Sequence, residues 1–247
     1  MSRGNLMNMQ QPLGLYGKLP NYGDFIHRNL PAKFINVWDD WLQQFVSGSQ
    51  TQMGEQWLDV YLTSPIWRFV LSAGIIDEQH WAGIVLPSVD QVGRYYPFSI
   101  AIPLPSSVNP FEFISTNGQW FEQIEELALR ALDGQINLDE LSEMSEHQKS
   151  LFPMSYRKTG QQLQGNCSQQ INFQFAEELP INAYAHLLDS LLTANRAAYS
   201  VWSTSGSEKI SPCLVSTLGM PLSSQIPAMM DGQWSHWGWT QPYTANE

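Results

Sequence analysis

The chain has 247 residues, enough for one large domain or two small ones whose core needs neither metal ions nor disulfide bonds. Apolar residues make up 43% and charged residues only 14%, and the 10 Trp, 11 Phe and 9 Tyr exclude intrinsic disorder. The formal net charge is −11, and no window holds more than two adjacent basic residues. Because nucleic-acid binding requires clustered cations, DNA and RNA are not expected partners.

The sequence gives no sign of export or membrane insertion. No apolar run approaches the ~18–20 residues that span a bilayer, and residues 1–12 are polar with one Arg, unlike a secretory signal. Cys167 and Cys213 form no Cys-x-x-Cys pattern. They could pair, but a chain of this size does not need the bridge, which favours two free thiols. We expect a soluble, cytoplasmic protein without membrane insertion.

The first part of the chain predicts one strand followed by helices. A short strand over residues 13–19 ends in a turn that contains Pro20 and Gly23. A helix is predicted after Pro31, because apolar residues then recur at helical spacing, and Gly48 is its predicted end. A second, short helical stretch is predicted over residues 53–62.

Three β-rich runs bounded by Gly, Pro and Ser come next, over residues 67–71, 81–86 and 98–102. The last two are almost wholly apolar, which is typical of strands covered on both faces. Three strands in succession favour antiparallel or mixed pairing. An amphipathic helix over residues 120–132 follows, with Asn117 as its candidate N-cap.

The second half predicts an interruption and then further elements. Residues 135–170 are polar and weakly patterned, which predicts a long irregular excursion. The pattern then predicts a strand at 171–175, a helix opened by Pro180, strands at 199–202 and 213–218, and a short helix over 223–230. Alternating helices and strands indicate helices on both faces of one sheet. We expect one domain over residues 13–240, with tails at 1–12 and 241–247.

The sequence contains no complete catalytic or cofactor-binding motif. The chain has no G-x-G-x-x-G, G-x-S-x-G or H-E-x-x-H pattern. Ser155 to Lys158 fits S-x-x-K and Lys158 to Gly160 fits K-T-G, but the two motifs share one lysine that would have to fill two places. No catalytic residue, metal or cofactor is therefore expected.

Two loops that follow predicted strands carry the candidate binding residues. The first has the sequence GKLPNYGDF over residues 17–25, and the second has PSVDQVGR over residues 87–94. One interpretation is structural: the two aspartates cap turns, and Arg94 pairs with one of them. The other is direct contact with a partner or ligand, since open sheets place such sites at strand ends. The candidate residues are Lys18, Asp24, Phe25, Asp90 and Arg94.

Long motifs in a fixed order give the chain a family resemblance. They are GLYGKLPNYGDFI at 14–26, WDDWL at 38–42, WLDVYLTSPIWRF at 57–69, WAGIVLPSVDQVGRYYPFSIAI at 81–102, SVWSTSG at 200–206 and DGQWSHWGW at 231–239. Together they resemble the TagF family, also called ImpM, of bacterial type VI secretion-associated proteins. The resemblance runs from about residue 13 to residue 239 and is weakest across 135–170.

The resemblance implies a fold and a function. TagF-like proteins have a three-layer α/β sandwich fold, here expected as a mixed central sheet flanked by helices. They are cytoplasmic accessory factors that act after translation as repressors of the assembly or firing of the secretion machine. Their implied partner is the Fha-type scaffold protein, which carries an FHA domain, and they are not known as enzymes. An alternative from the residues alone is a small-molecule or nucleotide sensor, with Lys18 and Arg94 as anion contacts.

Overall fold

Seven strands form one sheet in the computed structural model, which describes residues 12–146, 182–194, 197–241 and 243. The strand order is β2-β1-β5-β4-β3-β6-β7, and every neighbouring pair is antiparallel. The strands are Gly14–Gly17 (β1), Ile26–Arg28 (β2), Trp67–Leu71 (β3), His80–Leu86 (β4), Phe98–Leu104 (β5), Tyr199–Thr204 (β6) and Cys213–Leu218 (β7).

The predicted strands of this sheet are confirmed, whereas the mixed pairing is replaced by antiparallel pairing throughout the described sheet. The cause lies in the connections. A parallel crossover needs a dozen or more residues, and the loops from β3 to β4 and from β4 to β5 are shorter than that. The predicted strand over 171–175 lies outside the described residues.

Helices cover both faces of the sheet and make the predicted three-layer α/β sandwich. Along β4, Trp81 and Val85 point into one core, while Ala82 and Ile84 point into the other. This alternation explains the apolar run, because both faces of the strand are buried. The first core is covered by Ala32–Gln43 (α1), Ser49–Met53 (α2), Trp57–Leu62 (α3) and Ala228–Asp231 (α8), and the second by Pro110–Thr116 (α4), Gly118–Leu132 (α5), Leu138–Glu146 (α6) and Asn182–Ala194 (α7).

The sequence predicted that the helix after Pro31 ends at Gly48, and this prediction is wrong. The helix continues through a π-helical turn over Gln44–Gly48 into α2 and ends at Gly54, whose φ is +61°. Gly48 keeps helical dihedral angles, with φ −66° and ψ −47°. A Cβ at this position would lie 2.9 Å from Ser223 Oγ, so the glycine serves close packing against that segment rather than helix termination.

Three further features of the helices differ from the predictions. Helix α6 occupies part of the stretch predicted to be irregular, because Asn137 and Glu140 form a reciprocal N-terminal cap: Asn137 Oδ1 accepts the Glu140 N–H, and Glu140 Oε2 accepts the Asn137 N–H. Asn117 precedes α5 as predicted, but its side chain donates to the Phe113 carbonyl of α4 and does not cap α5. Of the short helix predicted over 223–230, only α8 is helical.

Candidate functional site

The two loops with the candidate residues leave the sheet at one point. Gly17 at the end of β1 and Leu86 at the end of β4 both pair with Phe98 at the start of β5. Residues 18–25 and 87–97, called here the loop pair, therefore lie side by side. Gly17 permits this approach, because its φ is +124° and a Cβ there would lie 2.0 Å from the Pro97 carbonyl oxygen.

Hydrogen bonds join the two loops along their length. The Gln91 N–H donates to the Tyr22 carbonyl over 3.2 Å, and Ser88 Oγ donates to the Lys18 carbonyl over 2.7 Å. The buried Tyr61 of α3 holds Ser88 from below: its hydroxyl donates to the Ser88 carbonyl over 2.9 Å and accepts the Ser88 N–H over 3.0 Å. The loop pair is thus fixed to a helix as well as to the sheet.

A buried carboxylate stands at the centre of the loop pair. Asp90 Oδ2 accepts from Lys18 Nζ over 2.7 Å and from Arg94 Nε over 2.6 Å. Asp90 Oδ1 accepts the backbone N–H groups of Val92 over 3.0 Å and Arg94 over 2.8 Å. Burial alone would raise the pKa of the Asp90 carboxyl, but these hydrogen bonds outweigh it and hold that pKa well below its usual range. Lys18, Asp90 and Arg94 are called the ion triad below.

The ion triad agrees with the structural interpretation of two candidate residues. Asp90 closes its own turn and pairs with Arg94, whose guanidinium also donates to the Gly23 carbonyl. Lys18 is buried, so its ammonium group faces Asp90 rather than solvent. Asp24 behaves differently: its side chain is exposed and has no hydrogen-bond or ion-pair partner in the described part of the chain, so it caps no turn there.

An aromatic group extends the loop pair toward solvent. The Phe25 ring stacks on Tyr16 with 6.0 Å between centroids and meets Tyr96 edge-on at 4.8 Å. Lys18 Nζ lies 4.9 Å from the Phe25 centroid, a cation–π distance. The hydroxyls of Tyr16 and Tyr96 both donate to Asp39 Oδ1 of α1. Burial, and then the Asp39 carboxylate, raise the pKa of both tyrosines above the ordinary value, so both stay protonated as donors.

The comparisons with known proteins include this part of the chain. A family model described as the TagF N-terminal domain, type VI secretion system-associated, matches residues 14–147. The chain belongs to this family. The crystal structure of PA0076 from Pseudomonas aeruginosa PAO1 is also similar, with 31% sequence identity and a TM-score of 0.73 over 95% of this chain and 99% of that one. A search of curated proteins found no match.

The TagF match confirms the resemblance seen in the motifs and makes the chain a type VI secretion system-associated protein. The matched stretch contains β1 to β5 and all five candidate residues of the loop pair. Strands β6 and β7 and helices α7 and α8 lie beyond it, yet they belong to the same sheet and cores.

The solvent-facing part of the TagF loop pair is mixed in chemistry. Phe25 is 49% exposed, Val92 is 68% exposed and the Arg94 side chain is 59% exposed. With the exposed Asp24, these residues form what is called here the loop surface. Among the described residues no group of His, Cys, Asp and Glu could hold a metal ion, and no helix has the length and apolar character needed to cross a bilayer.

Sequence reasoning missed the support beneath this surface. Tyr16, Asp39 and Tyr96 each lie within a quoted motif, but no local pattern joins residues so far apart in the chain. The usable signal was the Asp-Asp pair inside the WDDWL stretch of α1, where the half-buried Asp39 carboxylate follows the buried Trp38 and needs a donor.

Proposed function

We propose that this TagF chain is a non-catalytic cytoplasmic regulator that represses the assembly or firing of the type VI secretion machine after translation. It acts by binding the Fha-type scaffold protein. The observation that carries the proposal is the TagF N-terminal domain match over residues 14–147, the region that also contains the loop surface.

Repression of this kind needs only binding. A protein that binds the idle state of a scaffold more tightly than its assembly-competent state shifts the population toward the idle state. Each tenfold difference in affinity between the two states is about 1.4 kcal/mol, so a modest interface is sufficient. This mechanism requires no covalent chemistry and therefore no general base. The buried carboxylate of the loop pair, Asp90, is consistent with this, because it accepts four hydrogen bonds and is not free to take up a proton.

The loop surface is the proposed contact. Its base is rigid, because the ion triad and the Asp39 hydrogen bonds fix both loops before any partner arrives. A preordered surface loses little conformational entropy on binding. An exposed aromatic ring beside an exposed arginine is also the composition found at energetic centres of protein interfaces. We assign contact with the partner to Asp24, Phe25, Val92 and Arg94, and a supporting role to Lys18 and Asp90.

The alternative, a sensor for a nucleotide or another anion, has weaker support. Lys18 and Arg94 were its expected anion contacts, and both already share the Asp90 carboxylate. A bound anion would have to compete with that carboxylate. A thermal-shift panel of nucleotides and phosphorylated metabolites tests it, since ligand at 100 times its Kd adds about 2.7 kcal/mol of stability.

Calorimetric titration of the purified scaffold protein with this chain tests the proposal. Phe25→Ala combined with Arg94→Ala should weaken binding at least about tenfold, because interface anchors typically contribute ≥ ~2 kcal/mol. The control pairs Leu129→Ala with Arg130→Ala on α5, neither of which belongs to the loop surface. Failure of the unaltered chain to bind the scaffold would refute the proposed function. Equal loss in the control and the loop variant would instead refute the assignment to the loop surface.

A further inference from the structure

Among the residues that the structure describes, strand β7 is an edge of the sheet and one of its faces is uncovered. Cys213 and Val215 pack against the first core, whereas Leu214 and Leu218 on the opposite face are 62% and 68% exposed. Ser216 lies between the two leucines and is also exposed. In the described part of the chain β7 pairs only with β6, so its outer backbone groups have no strand partner there.

The two edges of the sheet differ in their protection. The opposite edge, β2, has three residues, and its His27 and Arg28 are exposed, so it is short and charged in the way that edge strands usually are. Strand β7 has six residues and no charge. The whole stretch 210–230 lacks Asp, Glu, Lys and Arg. Shortness and charge therefore protect the β2 edge, but not the β7 edge, against pairing with another strand.

The backbone register shows which groups of β7 face outward. The Gly219 N–H donates to the Ala198 carbonyl, and the Ser72 N–H donates to the Tyr199 carbonyl on the far side of β6. Hydrogen-bonding directions alternate along an antiparallel strand. Residues 213, 215 and 217 therefore bond inward to β6, and the N–H and C=O groups of Leu214, Ser216 and Leu218 point to the open edge.

We propose that β7 pairs with β7 of a second copy of this chain, forming a two-fold symmetric dimer with one continuous sheet. Ser216 lies on the axis opposite its own copy, and Leu214 of each protomer lies opposite Leu218 of the other. All three outward positions of both strands then find antiparallel partners, each pair exchanging two N–H···O bonds. The two leucine pairs lie on one face as cross-strand neighbours, which is the unit that stabilises sheets.

Charge argues for a second copy as the occupant. Two chains of net charge −11 repel each other, and they can approach closely only where the surface carries no charge. The exposed residues of the charge-free stretch 210–230, which include Leu214, Ser216 and Leu218 of β7, form such a surface. A positively charged partner would gain nothing at an uncharged edge. Because distant repulsion is screened by salt, the dimer should strengthen as ionic strength rises.

Light scattering coupled to size exclusion, run on the full chain over a concentration series, tests the dimer. The mass should rise with concentration from 28.0 kDa toward twice that value. Ser216→Lys places two ammonium groups opposite each other and should weaken dimerisation about two- to fivefold. Ser224→Lys makes the same change at another exposed serine outside β7 and should leave the dimer unchanged. A chain that stays at 28.0 kDa at every concentration overturns the proposal.

Cross-linking tests the register independently of affinity. Opposite residues of a hydrogen-bonded antiparallel pair have Cα atoms ~5.5 Å apart, within the range that a disulfide bridges. Ser216→Cys should therefore form a disulfide-linked dimer under mild oxidation that peptide mass spectrometry assigns to position 216, whereas Ser224→Cys should not. A dimer whose Ser216→Cys variant does not cross-link overturns the two-fold pairing. Neither test involves the scaffold protein, so failure here leaves the proposed function standing.

Discussion

Replacement of Lys18 by Met tests whether the ion triad holds the loop pair together. The ammonium group lies 2.7 Å from Asp90 Oδ2, and the side chain is 5% exposed. Methionine keeps an unbranched chain and removes the charge, while Arg94 and two backbone N–H groups still bind the carboxylate. A hydrogen bond to a charged group contributes about 1.5–3 kcal/mol, and part of this is offset because no ammonium group has to be buried. We expect a net loss of about 2 kcal/mol.

Urea denaturation followed by tryptophan fluorescence measures this loss at pH 7. The midpoint should fall with an unchanged slope, since the surface exposed on unfolding is the same. The melting temperature should fall by roughly 4–8 °C for a chain of this size. Lys33→Met makes the same change at an exposed position of α1 and should stay within about 0.5 kcal/mol of the unaltered chain.

The pH dependence identifies the partner of Lys18. The pKa of Asp90 is depressed in the folded chain, so its stabilising effect is fully present above the unfolded pKa of about 3.9 and is lost as the pH falls through the folded value. The difference in the free energy of unfolding between the Lys18→Met variant and the unaltered chain should therefore become smaller below about pH 4. A variant as stable as the unaltered chain at pH 7 would refute the reasoning, and so would a difference that persists unchanged in acid.

Three further measurements address the cores. Gly83→Ala should lower the free energy of unfolding by about 3 kcal/mol in urea denaturation, because its Cβ would lie 2.0 Å from the Ile100 carbonyl oxygen. Near-normal stability would contradict this contact. Burial lowers the pKa of His80, whose Nδ1 accepts the Ala73 N–H. The contribution of the neutral imidazole to stability should therefore be present above about pH 6.5 and lost below it. An imidazole pKa at or above 6.5 by NMR titration would contradict this. Burial raises the pKa of the Cys213 thiol to about 11, so alkylation at pH 8 should be about a hundredfold slower than in the unfolded chain; equal rates by peptide mass spectrometry would contradict this.

The strands other than the three-residue β2, which the sequence analysis missed, were predictable because their burial leaves a local signal. Strand β4 is apolar along its whole length, since Trp81 faces one core and Ala82 the other. The end of the helix after Pro31 left no such signal. Gly48 has the composition of a helix stop, but its lack of a side chain serves contact with Ser223, a residue 175 positions later. A glycine required for packing and a glycine required for termination look the same in one sequence.

The candidate site was predictable in composition but not in arrangement. Both loops attract notice because turn-forming residues and charges follow apolar strands. Their contact depends on β1 lying next to β5, and no local pattern gives that strand order. The division of roles depends on burial: Lys18 and Arg94 are both cations beside Asp90, and only the structure shows that one is enclosed and the other reaches solvent.

The strand order also determines when each strand can pair with its neighbours during translation. Strand β1 is made early, but its partner β5 follows only after β2, β3 and β4, and β3 waits for β6. The Trp67 indole N–H donates to the Met229 carbonyl, 162 residues later. At ~5–20 residues per second, the ribosome needs roughly 8–30 s between the two. During that interval, tryptophans that are buried in the folded protein, such as Trp67, are exposed to solvent in the nascent chain. The segment that the TagF model matches therefore cannot complete its own core before the rest of the chain is made, and we expect chaperones to bind the nascent chain during this interval.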